Sequence, residues 1–115
     1  MKRTDQTEIN IGIDTSAHFL DVYVRPLDEA FTYPNTTAGI RELIKQLRTY
    51  QPDRVLIEAT GRLEMAFVVA ANRASLPVVV CNPGQVRQFA KAAGRVAKTD
   101  ALDAQDIARF GEALK

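Results

Sequence analysis

Apolar and polar residues alternate along Glu8-Ile9-Asn10-Ile11-Gly12-Ile13-Asp14, the period of two that marks a β-strand. The alternation returns at Phe19–Arg25, where Leu20, Val22 and Val24 interleave with Asp21, Tyr23 and Arg25. The link between them, Thr15-Ser16-Ala17-His18, is too short for a crossover, so the pattern predicts antiparallel neighbours. Pro26-Leu27-Asp28-Glu29 reads as a turn into a brief third strand, Ala30–Tyr33. The period then changes. Ile40, Leu43, Ile44 and Leu47 fall at i, i+3, i+4 and i+7, an amphipathic helix that leaves Arg41, Lys45 and Arg48 outside. Pro34-Asn35-Thr36-Thr37 offers its caps, and Gln51-Pro52 ends it. Val55-Leu56-Ile57 is apolar on both faces, as a strand buried among parallel neighbours would be. Leu63–Ala74 reads as an alanine-rich helix and Pro77–Cys81 as a further buried strand. Gln85–Ala93 carries an apolar stripe at Val86, Phe89, Ala90 and Ala93, with Gly94 as its stop. A last helix from about Asp100 places Ala104, Ile107, Ala108 and Leu114 at helical spacing and is still running at Lys115. That ending suggests an N-terminal fragment of a longer protein.

The order β-β-β-α-β-α-β, followed by helices, predicts an antiparallel meander continued by right-handed βαβ units. The fold class is α/β: a five-stranded mixed sheet in the order 3-2-1-4-5, with flanking helices. This is the RNase H-like (RuvC-like) arrangement. Residues 1–8 read as a flexible polar leader, and 9–115 as one domain, within the size a single core supports. The leader has no apolar centre, so it is no signal peptide, and no apolar run approaches the ~20 residues that span a bilayer. The single cysteine, Cys81, excludes an internal disulfide and fits a cytoplasmic protein.

A net charge of +1 argues against a general polyanion binder, yet the charges are segregated. Met65–Thr99 contains no acid and five bases: Arg73, Arg87, Lys91, Arg95 and Lys98. Asp100, Asp103 and Asp106 follow, one helical turn apart on one broad face. Such a cluster suits helix capping as well as metal binding. Asp14 and Glu58 each close an apolar strand, and the predicted strand order puts them side by side at one sheet edge. Carboxylates gathered without cations repel, so convergence there points to a metal. Oxygen-only donors suit Mg²⁺ or Mn²⁺ rather than zinc. Beside such a site the basic run Arg87–Lys98 becomes a phosphate-binding surface; away from one it is a solvated face. Ser16 and His18 read as turn and loop residues. Gly12, on the same face as Asp14, marks a close approach by another backbone or a ligand.

Gly12-Ile13-Asp14-Thr15-Ser16, Glu58-Ala59-Thr60-Gly61, Asn82-Pro83 and Lys98-Thr99-Asp100-Ala101-Leu102-Asp103-Ala104 together resemble the N-terminal domain of the DEDD transposases. That insertion-sequence family includes a site-specific DNA invertase. The resemblance implies a catalytic and metal-binding tetrad of Asp14, Glu58, Asp100 and Asp103, without Asp106. It also implies two Mg²⁺ or Mn²⁺ ions and cleavage and exchange of DNA strands. Arg87, Lys91, Arg95 and Lys98 are then the candidate nucleic-acid contacts. Family members act as homo-oligomers with a structured guide RNA and carry a nucleophilic serine in a C-terminal domain. The serines here are Ser16 and Ser75. Ala59 stands where the family often has threonine, and Arg62-Leu63 where an aromatic commonly follows the glycine. Two rivals use the same residues. One is an actin-like or sugar-kinase nucleotide-binding half built on Gly12–Ser16; the other is a catalytically silent interaction module whose acids cap helices.

Overall fold

The computed structural model describes residues 7–95 and 102–114. The chain runs β1 (Asn10–Thr15), β2 (Phe19–Arg25), β3 (Glu29–Pro34), α1 (Thr37–Thr49), β4 (Arg54–Glu58), α2 (Met65–Arg73), β5 (Val78–Cys81), α3 (Pro83–Ala92) and α4 (Ala104–Ala113). The strands form one sheet in the order β3-β2-β1-β4-β5, antiparallel across the first three and parallel from β1 to β5. This is the predicted order.

Strand alternation sorts the side chains onto two faces. Ile11, Ile13, Val22, Val55 and Ile57 join Leu43 and Leu47 of α1 and Phe67 of α2 in the larger core. Leu56 and Cys81 point the other way and join Val86 of α3 and Ile107 of α4. Thr36 caps α1 by accepting the Gly39 N–H at 3.0 Å, and Gln51 at φ 50° followed by Pro52 stops it. Asn82 caps α3 by accepting the Gly84 and Gln85 amides.

Several boundaries differ from the sequence expectation. Helix α2 begins at Met65 because the Glu64 carboxylate turns back to take the Thr60 N–H at 3.1 Å and the Thr60 hydroxyl, which commits the preceding residues to a loop. Strand β5 is an edge strand, with Val78 and Val79 half-buried and Val80 48% exposed, because among the described residues β4 is its only strand neighbour. Helix α4 begins at Ala104 and closes at Ala113, with Leu114 already extended, so it does not run to the end of the chain. Residues 1–6 of the expected leader lie outside the described residues. Its last residue, Glu8, is tied to Arg54 at 3.0 Å.

Helix α4 lies against β1 at backbone distance. A β-carbon on Gly12 would stand 2.2 Å from the Ala104 carbonyl oxygen and 2.5 Å from the Ala108 nitrogen. The approach expected at Gly12 is therefore by a helix. At the far end, a β-carbon on Gly111 would meet Leu56 and the buried Asn10 side chain. There Arg54 donates to Asn10 Oδ1, the Gly111 carbonyl and the Leu114 carbonyl, at 3.2–3.3 Å. Arg25 holds Glu112 at 3.3 Å.

Candidate active site

Asp14 and Glu58 are brought together by strand register. Ile13 pairs with Ile57 in the parallel ladder, so the next residues, Asp14 and Glu58, lie level on adjacent strands. The antiparallel ladder pairs Asp14 with Asp21, and the outer ladders pair Asp21 with Thr32 and Glu58 with Cys81. One row across the sheet, on the α4 side, therefore reads Thr32, Asp21, Asp14, Glu58, Cys81. Three neighbouring carboxylates occupy its centre.

Burial pushes the Asp14 carboxyl above its usual range, and the Asp21 and Asp103 carboxylates push it the same way. Glu58 is raised by burial first and then by Asp14 and Asp106, with Arg87 opposing. Burial, reinforced by Glu58, pushes the Cys81 thiol up to about 11, so the row ends in a neutral thiol rather than a thiolate donor. The Ser16 hydroxyl is occupied in the β1–β2 turn, accepting the Phe19 N–H at 3.1 Å and facing its carbonyl at 3.2 Å.

Helix α4 brings Asp103 to the row. Asp103 is the N-cap residue, with extended backbone, and its Oδ1 accepts the Asp106 N–H at 2.9 Å. Asp106 returns the bond, its Oδ2 accepting the Asp103 N–H at 3.1 Å. Its other oxygen takes Arg95 Nε at 3.2 Å, so a carboxylate only 3% exposed is fully engaged. This corrects the expected shared helical face. Asp103 precedes the helix, and Asp106 is buried within its first turn. Asp103 and Asp14 both line an open cleft on the β2 side of the row. Asp100 and Lys98 lie outside the described residues. Among the described residues, no three of His, Cys, Asp and Glu stand close enough to hold an ion. The donor chemistry fits a hard divalent cation all the same, since the row offers carboxylate oxygens and no ionised sulfur.

The basic run divides. Arg87, half-buried on α3, acts electrostatically on Glu58, and Lys91 is exposed one turn further along. Arg95 is not on that helix. Ala93 caps α3, Gly94 takes φ 73°, and Arg95 turns to Asp106. The even stripe Arg87–Lys91–Arg95 is therefore broken at its third member. Two residues escaped the sequence reading, Asp21 and Glu64, and the ion pair of Asp106 with Arg95 was not expected. Asp21 was open to discovery, because closing the hairpin on Ser16 and Phe19 forces Asp14 opposite Asp21.

Residues 11–114 match the model of a transposase family, the DEDD transposases of IS110 type. The chain belongs to that family, which places its function at a general level in DNA cleavage and recombination. Its fold is that of RuvC. Thermus thermophilus RuvC in complex with a Holliday junction substrate aligns with a TM-score of 0.60 and 18% identity, over 89% of this chain and 90% of that one. Another structure of T. thermophilus RuvC aligns with the same TM-score at 21% identity, over 87% and 90%. No curated protein matches the chain. Among the described residues, no helix is long and apolar enough to cross a membrane.

Proposed function

We propose that this chain is the metal-dependent catalytic domain of a DNA transposase or site-specific DNA invertase, with Asp14, Glu58, Asp100 and Asp103 as its metal-holding residues. The observation that carries the reading is the level placement of Asp14 and Glu58 on adjacent strands, on the face that the start of α4 reaches with Asp103. Two Mg²⁺ or Mn²⁺ ions there would activate a nucleophile and stabilise the leaving oxygen of a phosphodiester. The chain's own contribution is positional. Sheet register fixes Asp14 and Glu58, while the capping bonds of α4 fix Asp103. Arg87 offsets part of the negative charge at Glu58 and, with Lys91 and Lys98, would meet phosphates of the bound strand. DNA is the proposed substrate. A structured guide RNA and assembly into a homo-oligomer rest on the family resemblance and belong to the same proposal.

Thermal melts test it. Millimolar Mn²⁺ is expected to raise the melting temperature of the parent chain by mass action on the folded state. The rise should vanish in Glu58→Gln and Asp100→Asn. A parent that gains nothing from Mn²⁺ would favour the silent module, in which Asp103 is a helix cap and nothing more.

A further inference from the structure

Asp21 faces Asp14 directly across the β1–β2 ladder. Side chains so placed have β-carbons about 4.5–5.5 Å apart, and like charges there destabilise a sheet. Both residues line the cleft that Asp103 also lines, and among the described residues lining it there is no lysine or arginine. The cleft lies on the β2 side of Asp14, whereas Glu58 flanks Asp14 from the β4 side. Asp21 is held in place: the Thr32 hydroxyl donates to its Oδ1 at 2.7 Å from the adjacent strand, which leaves Oδ2 for another donor. A carboxylate pinned opposite the central acid, in a cleft to which no described lysine or arginine contributes, is arranged to receive a cation.

We propose that Asp21 is a positioning residue of the metal site, accepting hydrogen bonds from the water shell of the cation held between Asp14 and Asp103. The inference rests on the metal reading given above and extends it to a residue outside the tetrad. A shell role suits Mg²⁺, which keeps several of its waters when bound. Partners beyond the direct ligands orient those ligands and raise affinity.

Calorimetric titration of the chain with Mn²⁺ at fixed ionic strength tests the role. Asp21→Asn removes the charge while an amide oxygen can still accept from Thr32. Outer-shell losses of this kind predict about tenfold weaker Mn²⁺ binding. The melting temperature in chelator should stay level or rise, because the cross-strand repulsion is gone, which separates metal binding from folding. Glu42→Gln removes a charge from α1 on the opposite face of the sheet and should leave Mn²⁺ affinity unchanged. The proposal is overturned if Asp21→Asn binds Mn²⁺ as tightly as the parent, or if Glu42→Gln weakens binding as much. Parent binding that persists in Asp21→Asn but is lost in Glu58→Gln removes Asp21 alone and leaves the metal site standing. A parent that binds no Mn²⁺ removes both.

Discussion

The two faces of the sheet are built on different physics. On the α1/α2 face, large aliphatic and aromatic side chains (Ile11, Ile13, Leu43, Leu47, Phe67) fill the space between sheet and helices. On the α4 face, Gly12 brings the β1 backbone against that of Ala104 and Ala108, Gly111 leaves room for the Leu56 and Asn10 side chains, and polar groups occupy the ends. Arg25, Arg54 and Asn10 clamp one end, and the carboxylate row occupies the other. The first face gains stability from apolar area removed from water. The second gives up much of that area and, in exchange, places Asp103 next to strands that already hold Asp14 and Glu58. The larger apolar core and the proposed chemistry thus fall on opposite sides of one sheet.

The largest effect that would break this contrast comes from the apolar face. Phe67→Ala is expected to lower the unfolding free energy by about 3–5 kcal/mol, since it empties a fully buried aromatic site. The gain in stability from Mn²⁺ should survive it. Urea unfolding with and without Mn²⁺ measures both quantities, and a lost Mn²⁺ gain would show that the faces are not independent. Next is Gly12→Ala, which drives a methyl group into the Ala104 carbonyl. Overpacking of this kind costs about 1–3 kcal/mol. Here the Mn²⁺ gain should fall as well, because Asp103 moves with α4.

The smallest effect has the opposite sign. Asp14 holds its proton more readily in the folded chain than in the unfolded one. The metal-free protein therefore loses stability as pH rises from the unfolded carboxylate pKa, about 4, through the raised folded value. Asp14→Asn lacks that loss. Its melting temperature in chelator should match the parent's in acid and exceed it at neutral pH, by an amount worth about 0.2–1 kcal/mol. An advantage that shrinks as pH rises would contradict the upward shift that burial first, and the Asp21 and Asp103 carboxylates second, impose on Asp14.

Much of this was legible in the sequence. Periods of two and 3.6, with a four-residue hairpin link and two crossover helices, were enough for the strand order, and so for the placement of the strand-end acids Asp14 and Glu58 side by side. What stayed hidden was long-range or local in a way that periodicity does not encode. Asp106 sits at the same spacing as Asp103, and only the capping geometry separates a buried ion-pair partner from a residue lining the cleft. Arg95 continued a spacing of four past Gly94, where the helix had already ended. The β-branched run Val78-Val79-Val80 described a strand correctly but could not reveal that it lies at the edge of the described sheet. Asp21 looked like the solvent side of an alternating strand because the candidate site lies on the polar face of this sheet.

The contact between Gly12 and the Ala104 carbonyl has a further consequence. Asp103 immediately precedes Ala104, and Asp14 lies two residues beyond Gly12, so the nearest distance at which the helix can carry its acid to the strand is set by a hard repulsive stop. Repulsion between closed shells does not depend on ionic strength or pH. Salt that screens Arg95 from Asp106 can weaken what holds α4 down, yet it cannot change how close α4 comes when seated. The site therefore has a fixed lower limit to its size. Changes of salt, pH or temperature can only open it from there.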